Sequence, residues 1–139
     1  MRGLITSLLV LLTGLTARGA TIEARLVRAT NEPVARDEHV RDIEDKLKKQ
    51  FGYEYYRQLG SGKAVLDNKP QHLNLGEGFS VLVTPQGTKN QTQDLHLELY
   101  AGKAAVAKMP VKLSPRGHLF AGPIRVGNDW LVLALRVVE

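Results

Sequence analysis

The stretch FGYEYY, residues 51–56, carries Phe51, Tyr53, Tyr55 and Tyr56, four of the eight aromatic residues in the chain, and Arg57 follows directly. Clustered aromatic rings beside a guanidinium are the side chains that stack on a sugar or anchor a protein partner. Tyr53, Tyr55, Tyr56 and Arg57 are therefore the candidate binding residues, against the alternative that the rings are ordinary cross-strand packing. A second constellation is Asp94, His96 and Glu98, spaced by two, with His72 available from another strand. Side chains two apart on a strand point the same way, so these oxygen and imidazole ligands could face one metal ion. A polar outer face accounts for them equally well.

Other chemistry finds less support. The GSGKA sequence at Gly60–Ala64 lacks the glycine five places before Gly62, where Arg57 stands, and the hydroxyl after Lys63, where Ala64 stands, so it is not a phosphate-binding loop. Beyond the leader, the serines at 61, 80 and 114 occupy no nucleophile elbow, and no two of the four histidines have helical metal spacing. With no cysteine in the chain, disulfides, thiolate metal sites and a cysteine nucleophile are all excluded. No cofactor is called for.

The elements that position these residues follow from periodicity. Val40, Ile43, Leu47 and Phe51 are spaced by three, four and four, one stripe of an amphipathic helix near 37–51 with Asp37 as its amino-terminal cap. Acids gather early in it and lysines late, in step with the helix dipole, and Asp42/Lys46, Glu44/Lys48 and Asp45/Lys49 are pairs four apart. Gly52 stands where such a helix stops. The period then becomes two, which places Tyr53 and Tyr55 at the core margin and Tyr56 outward. Alternation in Thr21–Ala29, Phe79–Thr84, Asp94–Ala101 and Ala104–Leu113 indicates strands joined by turns, with a turn at Gly60 and a long polar tip at Pro85–Gln93. Trp130–Val138 is apolar on both faces and must be covered on both. The expected fold is mainly β: an antiparallel β-sandwich or strongly curled sheet of about seven or eight strands with one α-helix packed on an outer face. The alternative is a two-layer α+β arrangement. Lys103, Lys108, Pro110 and Lys112 mark one strand as a protected edge.

Residues 1–19 have a positive start, an apolar run and small residues before Ala20, the layout of a cleaved secretory signal peptide, leaving 20–139 as one β-rich domain. Removing Arg2 and Arg18 from the 19 basic residues leaves 17 against 14 acids, a mild net +3. The basic residues are dispersed, which argues against nucleic acid, and no later stretch is apolar enough to span a membrane. A cysteine-free exported chain suits a bacterial envelope, so the expected location is periplasmic or extracellular. The leading functional expectation is a non-catalytic interaction module binding a protein partner, by the tyrosine strand or a free sheet edge. The alternatives are a module binding carbohydrate or an anionic cell-wall polymer, and a hydrolase whose site is dispersed in sequence.

Overall fold

A computed structural model describes residues 20–138. The leader at 1–19, expected to be cleaved, lies outside the described residues. The strands are β1 (Thr21–Thr30), β2 (Tyr55–Val65), β3 (Gln71–Gly76), β4 (Phe79–Lys89), β5 (Thr92–Ala101), β6 (Ala104–Leu113), β7 (Leu119–Val126) and β8 (Asp129–Val138). They form two four-stranded antiparallel sheets, one in the order β2-β1-β8-β7 and the other β3-β4-β5-β6. The sheets face each other as a sandwich and do not close into a barrel. A 3₁₀ turn (Glu38–Val40) and helix α1 (Glu44–Phe51) lie between β1 and β2 in sequence.

The core follows from the alternation. Ile22, Ala24 and Leu26 of β1 and Leu131, Leu133 and Leu135 of β8 point between the sheets, where they meet Leu73, Leu75, Val81, Val83, Leu95, Leu97 and Leu99. Each fully buried leucine contributes about 1.5–3 kcal/mol relative to exposure. The opposite faces of β1 and β8 supply Val27, Ala29, Val132 and Ala134 to a smaller cluster beneath Val40, Ile43 and Leu47. That is the second cover that the apolar terminal strand requires, and the helix stripe lies on it as its spacing predicts. Asp37 accepts the His39 N–H at 3.0 Å. Gly52, at φ 81°, closes α1 with its N–H on the Lys48 carbonyl, a conformation that glycine adopts without a Cβ penalty.

Three local expectations are corrected. The helix over 37–51 is a 3₁₀ turn followed by the shorter α1. Gly60 is not in a turn: β2 runs through it, and a Cβ there would lie 1.5 Å from the Leu75 carbonyl oxygen of β3. Glycine is needed because the two sheets nearly touch at this corner. The polar tip at 85–93 is also mostly strand. β4 and β5 continue to Lys89 and Thr92, and the turn is Asn90–Gln91, both at positive φ. This is the backbone sign of a primed two-residue hairpin turn.

Two open edges remain on the side away from the Gly60 corner. One is β6, with Lys108, Pro110 and Lys112 exposed, and the other is β7, where Pro123 sits in an interruption of the register between Ala121 and Ile124. Lysine and proline on edge strands discourage pairing with another chain. No helix among the described residues is long and apolar enough to cross a membrane.

Candidate functional site

The FGYEYY residues part company. Tyr56 is buried, 2% exposed, rather than outward as its alternation with Tyr55 implied. It lies under α1 opposite Ala29, where its hydroxyl donates to the Leu47 carbonyl at 3.0 Å and accepts the Tyr53 N–H at 3.2 Å. Burial pushes that hydroxyl above the usual tyrosine value. Tyr56 thus ties the end of the helix to the sheet and presents no ring to a ligand. Tyr55 is half-buried opposite Thr30. Arg57 is exposed, 3.9 Å from Glu77, and borders a small cavity of about 160 Å³ shared with Arg28 and Val34.

Tyr53 alone reaches a larger concavity. It borders a cleft of about 330 Å³ with Trp130, Arg28 and Asp129, while Thr30, Asn31, Glu32 and Asn128 complete the rim. The pairing of β1 with β8 builds this cleft by setting Ala29 opposite Trp130 and Arg28 opposite Leu131. The turn after α1 brings Tyr53 to the same end, held by its N–H bond to Tyr56. The next amide, Glu54 N–H, donates to Asn31 Oδ1 at 3.0 Å, which fixes the Asn31 amide. Arg28 Nε lies 3.3 Å from Asp129 Oδ1. The Arg125 guanidinium sits 5.1 Å from the Trp130 ring centroid and its Nε donates to the Gly127 carbonyl. Two aromatic residues, a guanidinium–carboxylate pair and two amides therefore meet on a rim held by cross-strand and main-chain bonds. Of these only Tyr53 was singled out by sequence. Trp130 reads from sequence only as the start of the apolar last strand, and its place beside Arg28 and Tyr53 depends on the pairing of that strand with β1.

A larger concavity, about 580 Å³, lies at the other end of the same outer face, where Glu23, Arg25, His39, Asp42, Gln58, Ser61 and Arg136 border it. Arg25 is 6% exposed. It donates through Nε to Gln58 Oε1 at 2.9 Å, through Nη1 and Nη2 to both Asp42 oxygens at 2.9 and 3.0 Å, and through Nη2 to the His39 carbonyl. Such a bidentate fork fastens the 3₁₀ segment to the sheet, and the Arg25 guanidinium holds the Asp42 carboxyl below the usual carboxylate value. Arg136 Nε donates to Glu23 at 2.8 Å across the strand pair. Behind them His118 stacks on Phe120, with 5.9 Å between ring centroids, and its buried Nε2 has no partner. Burial, with Arg136, Arg25 and Lys46 nearby, lowers its pKa.

His39 and Ser61 share this concavity, and Asp37 lies 2.8 Å from His39 Nδ1. The Asp37 carboxylate, however, is already the cap for the His39 N–H and accepts the Gln58 N–H at 2.8 Å. No hydrogen bond joins Ser61 to His39 among the described contacts. Asp37 thus fastens the 3₁₀ turn to β2 through His39 and Gln58.

The metal candidates are spread out. β4 lies between β3 and β5, so His72 is in register with Leu82 and only then with Glu98. His72 packs edge-on to Tyr100, 6.2 Å between centroids, while His96 Nε2 is 3.7 Å from Glu98. The Tyr100 hydroxyl donates to Glu98 at 2.5 Å, and that carboxylate raises the Tyr100 pKa. Asp94 borders a separate concavity with Pro110 and Lys112. No group of three acidic or histidine side chains is placed to hold a metal among the described residues. Comparison with known proteins returned no matching family, no matching curated protein and no matching solved structure.

Proposed function

We propose that the protein is a non-catalytic exported interaction module and that its ligand is a carbohydrate held in the Tyr53–Trp130 cleft. The observation that carries this reading is the meeting, in one cleft, of Tyr53 and Trp130 with the Arg28–Asp129 pair, Asn31 and Asn128. A sugar ring offers an apolar C–H face and a periphery of hydroxyls, each both donor and acceptor. Aromatic rings match the face, and guanidinium, carboxylate and amide groups match the periphery.

Two features move weight away from a protein partner at the tyrosine strand. Tyr56 is buried, and lysine and proline occupy the open edges that an added strand would use. Catalysis has no support in the Arg25–Asp42 concavity, where the charged groups are engaged with one another. The apolar leader would place the module in the periplasm or outside the cell.

The test is binding of immobilised oligosaccharides to the mature chain, beside Tyr53→Ala and Asn128→Ala variants checked for folding by circular dichroism. Retention that both variants weaken supports the reading. A crosslinked protein partner whose capture survives a blocked cleft would replace it with the interaction-module reading in its protein-binding form.

A further inference from the structure

The mild basic balance of the chain points toward an anionic polymer, whereas the cleft itself has the opposite character. Arg28 is the one cation on its rim, and Asp129 holds it at 3.3 Å. Glu32 is exposed and adds a second carboxylate, so the rim carries one positive and two negative charges. The nearby Arg125 lies against the Trp130 ring with its Nε on the Gly127 carbonyl and does not line the cleft. An approaching uronate or phosphate would meet the exposed Glu32 carboxylate and, among the described residues that line the cleft, no cation without a carboxylate partner, and like-charge juxtaposition is how sites reject wrong ligands. A hydroxyl can instead accept from Arg28 or the Asn128 amide and donate to Asp129 or Glu32.

The cleft is also small. At about 330 Å³ it lies near the lower end of ligand-site volumes.

Resting on the carbohydrate reading above, we infer that the cleft selects a short neutral saccharide segment and turns away anionic sugars and wall polymers. Glu32 is the selectivity residue, acting by repulsion.

Titration calorimetry on the mature chain tests this with neutral cello-, xylo- and chito-oligosaccharides and with oligogalacturonate as the anionic probe. Binding is expected to at least one neutral series, and to change little between low salt and about 0.5 M salt, where surface charge is screened. Tyr53→Ala should weaken it by about tenfold or more, the effect of removing an aromatic anchor. Oligogalacturonate should bind at least about tenfold more weakly, and Glu32→Gln should narrow that gap by raising the affinity for the anionic probe. If the wild-type cleft binds oligogalacturonate as tightly as the neutral series, with loss on Tyr53→Ala, the selectivity inference is overturned and the carbohydrate reading stands. If the gap exists but Glu32→Gln leaves it unchanged, the role given to Glu32 is overturned. If neither class binds, the carbohydrate reading itself falls, and this inference with it.

Discussion

Replacing Gly60 by alanine adds a single methyl group at the place where β2 meets β3. That methyl carbon would lie 1.5 Å from the Leu75 carbonyl oxygen, 2.5 Å from its carbon and 3.2 Å from the Gly76 nitrogen. All three are backbone atoms, so no side-chain rotation relieves the clash. To reach an ordinary 3.4 Å contact the strands must part by roughly 2 Å, which also loosens Leu59, Leu73 and Leu75 in the core. Overpacking a core costs about 1–3 kcal/mol when side chains can adjust. With backbone on both sides the upper figure applies, about 3 kcal/mol or more. For a chain of this size that corresponds to a fall in melting temperature of about 10–15 °C. Calorimetry and urea unfolding of Gly60→Ala against wild type measure it. Gly62→Ala is the control, since its methyl would lie 3.3 Å from the Asn74 carbonyl oxygen and 3.4 Å from Leu73 Cβ. A shift of a few tenths of an ångström accommodates that, and the loss should stay below about 1 kcal/mol. Melting of Gly60→Ala within about 3 °C of wild type would refute the close approach of the sheets.

Tyr56→Phe keeps the buried ring and removes the hydroxyl, leaving the Leu47 carbonyl and Tyr53 N–H without it; a loss of about 1–3 kcal/mol in urea unfolding is expected. Asp42→Asn removes the charge facing buried Arg25 and should cost about 1–2 kcal/mol at neutral pH, below the ~3–5 kcal/mol of a fully buried pair because the Asp42 side chain is 54% exposed. Since the folded Asp42 pKa is depressed, its contribution is full above the ordinary carboxylate value and is lost as pH falls through the depressed one, so the variant should lose less stability on acidification. His118 also has a depressed folded pKa, so its unfolded form takes up protons first. Stability should decline as pH falls below the ordinary histidine value of about 6.5, and His118→Phe, which retains a ring against Phe120, should flatten that slope in thermal melts at stepped pH.

Where one face of an element meets the core, the residues declare it. Leu95, Leu97 and Leu99 alternate into the sandwich, Val40, Ile43 and Leu47 follow the helical period onto the outer face, and the doubly apolar β8 demands the cover it has. Tyr56 misleads for a physical reason. Its neighbours in alternation, Glu54 and Gln58, make its face look solvated, yet α1 covers that face, and only the placement of the helix decides it. Arg25 misleads likewise, because its charge is satisfied by Asp42 and the His39 carbonyl from the segment before α1 and by Gln58 from β2, both remote from it in the chain. Gly60 and Gly62 resemble a turn because local sequence cannot distinguish a glycine that bends the chain from one that lets another strand come close. The polar residues at 85–93 resemble a loop because the hairpin projects beyond the core and both its faces meet water. The Tyr53–Trp130 cleft depends on the pairing of β1 with β8, a long-range register that the periodicity of either strand alone does not specify.

That pairing also sets an order on folding. Glu23 and Arg136, which meet across it, stand 113 positions apart in the chain, while β3, β4, β5 and β6 are neighbours in both sequence and space. Closing so long a loop carries an entropic cost before any contact offsets it. The β3–β6 meander can therefore assemble first, one hairpin after another, whereas the centre of the other sheet waits for β8. Until then β1 has only β2 beside it, and the platform for α1 lacks Val132 and Ala134. The Tyr53–Trp130 cleft is consequently among the last features to form, and its appearance would report that the whole sandwich has closed.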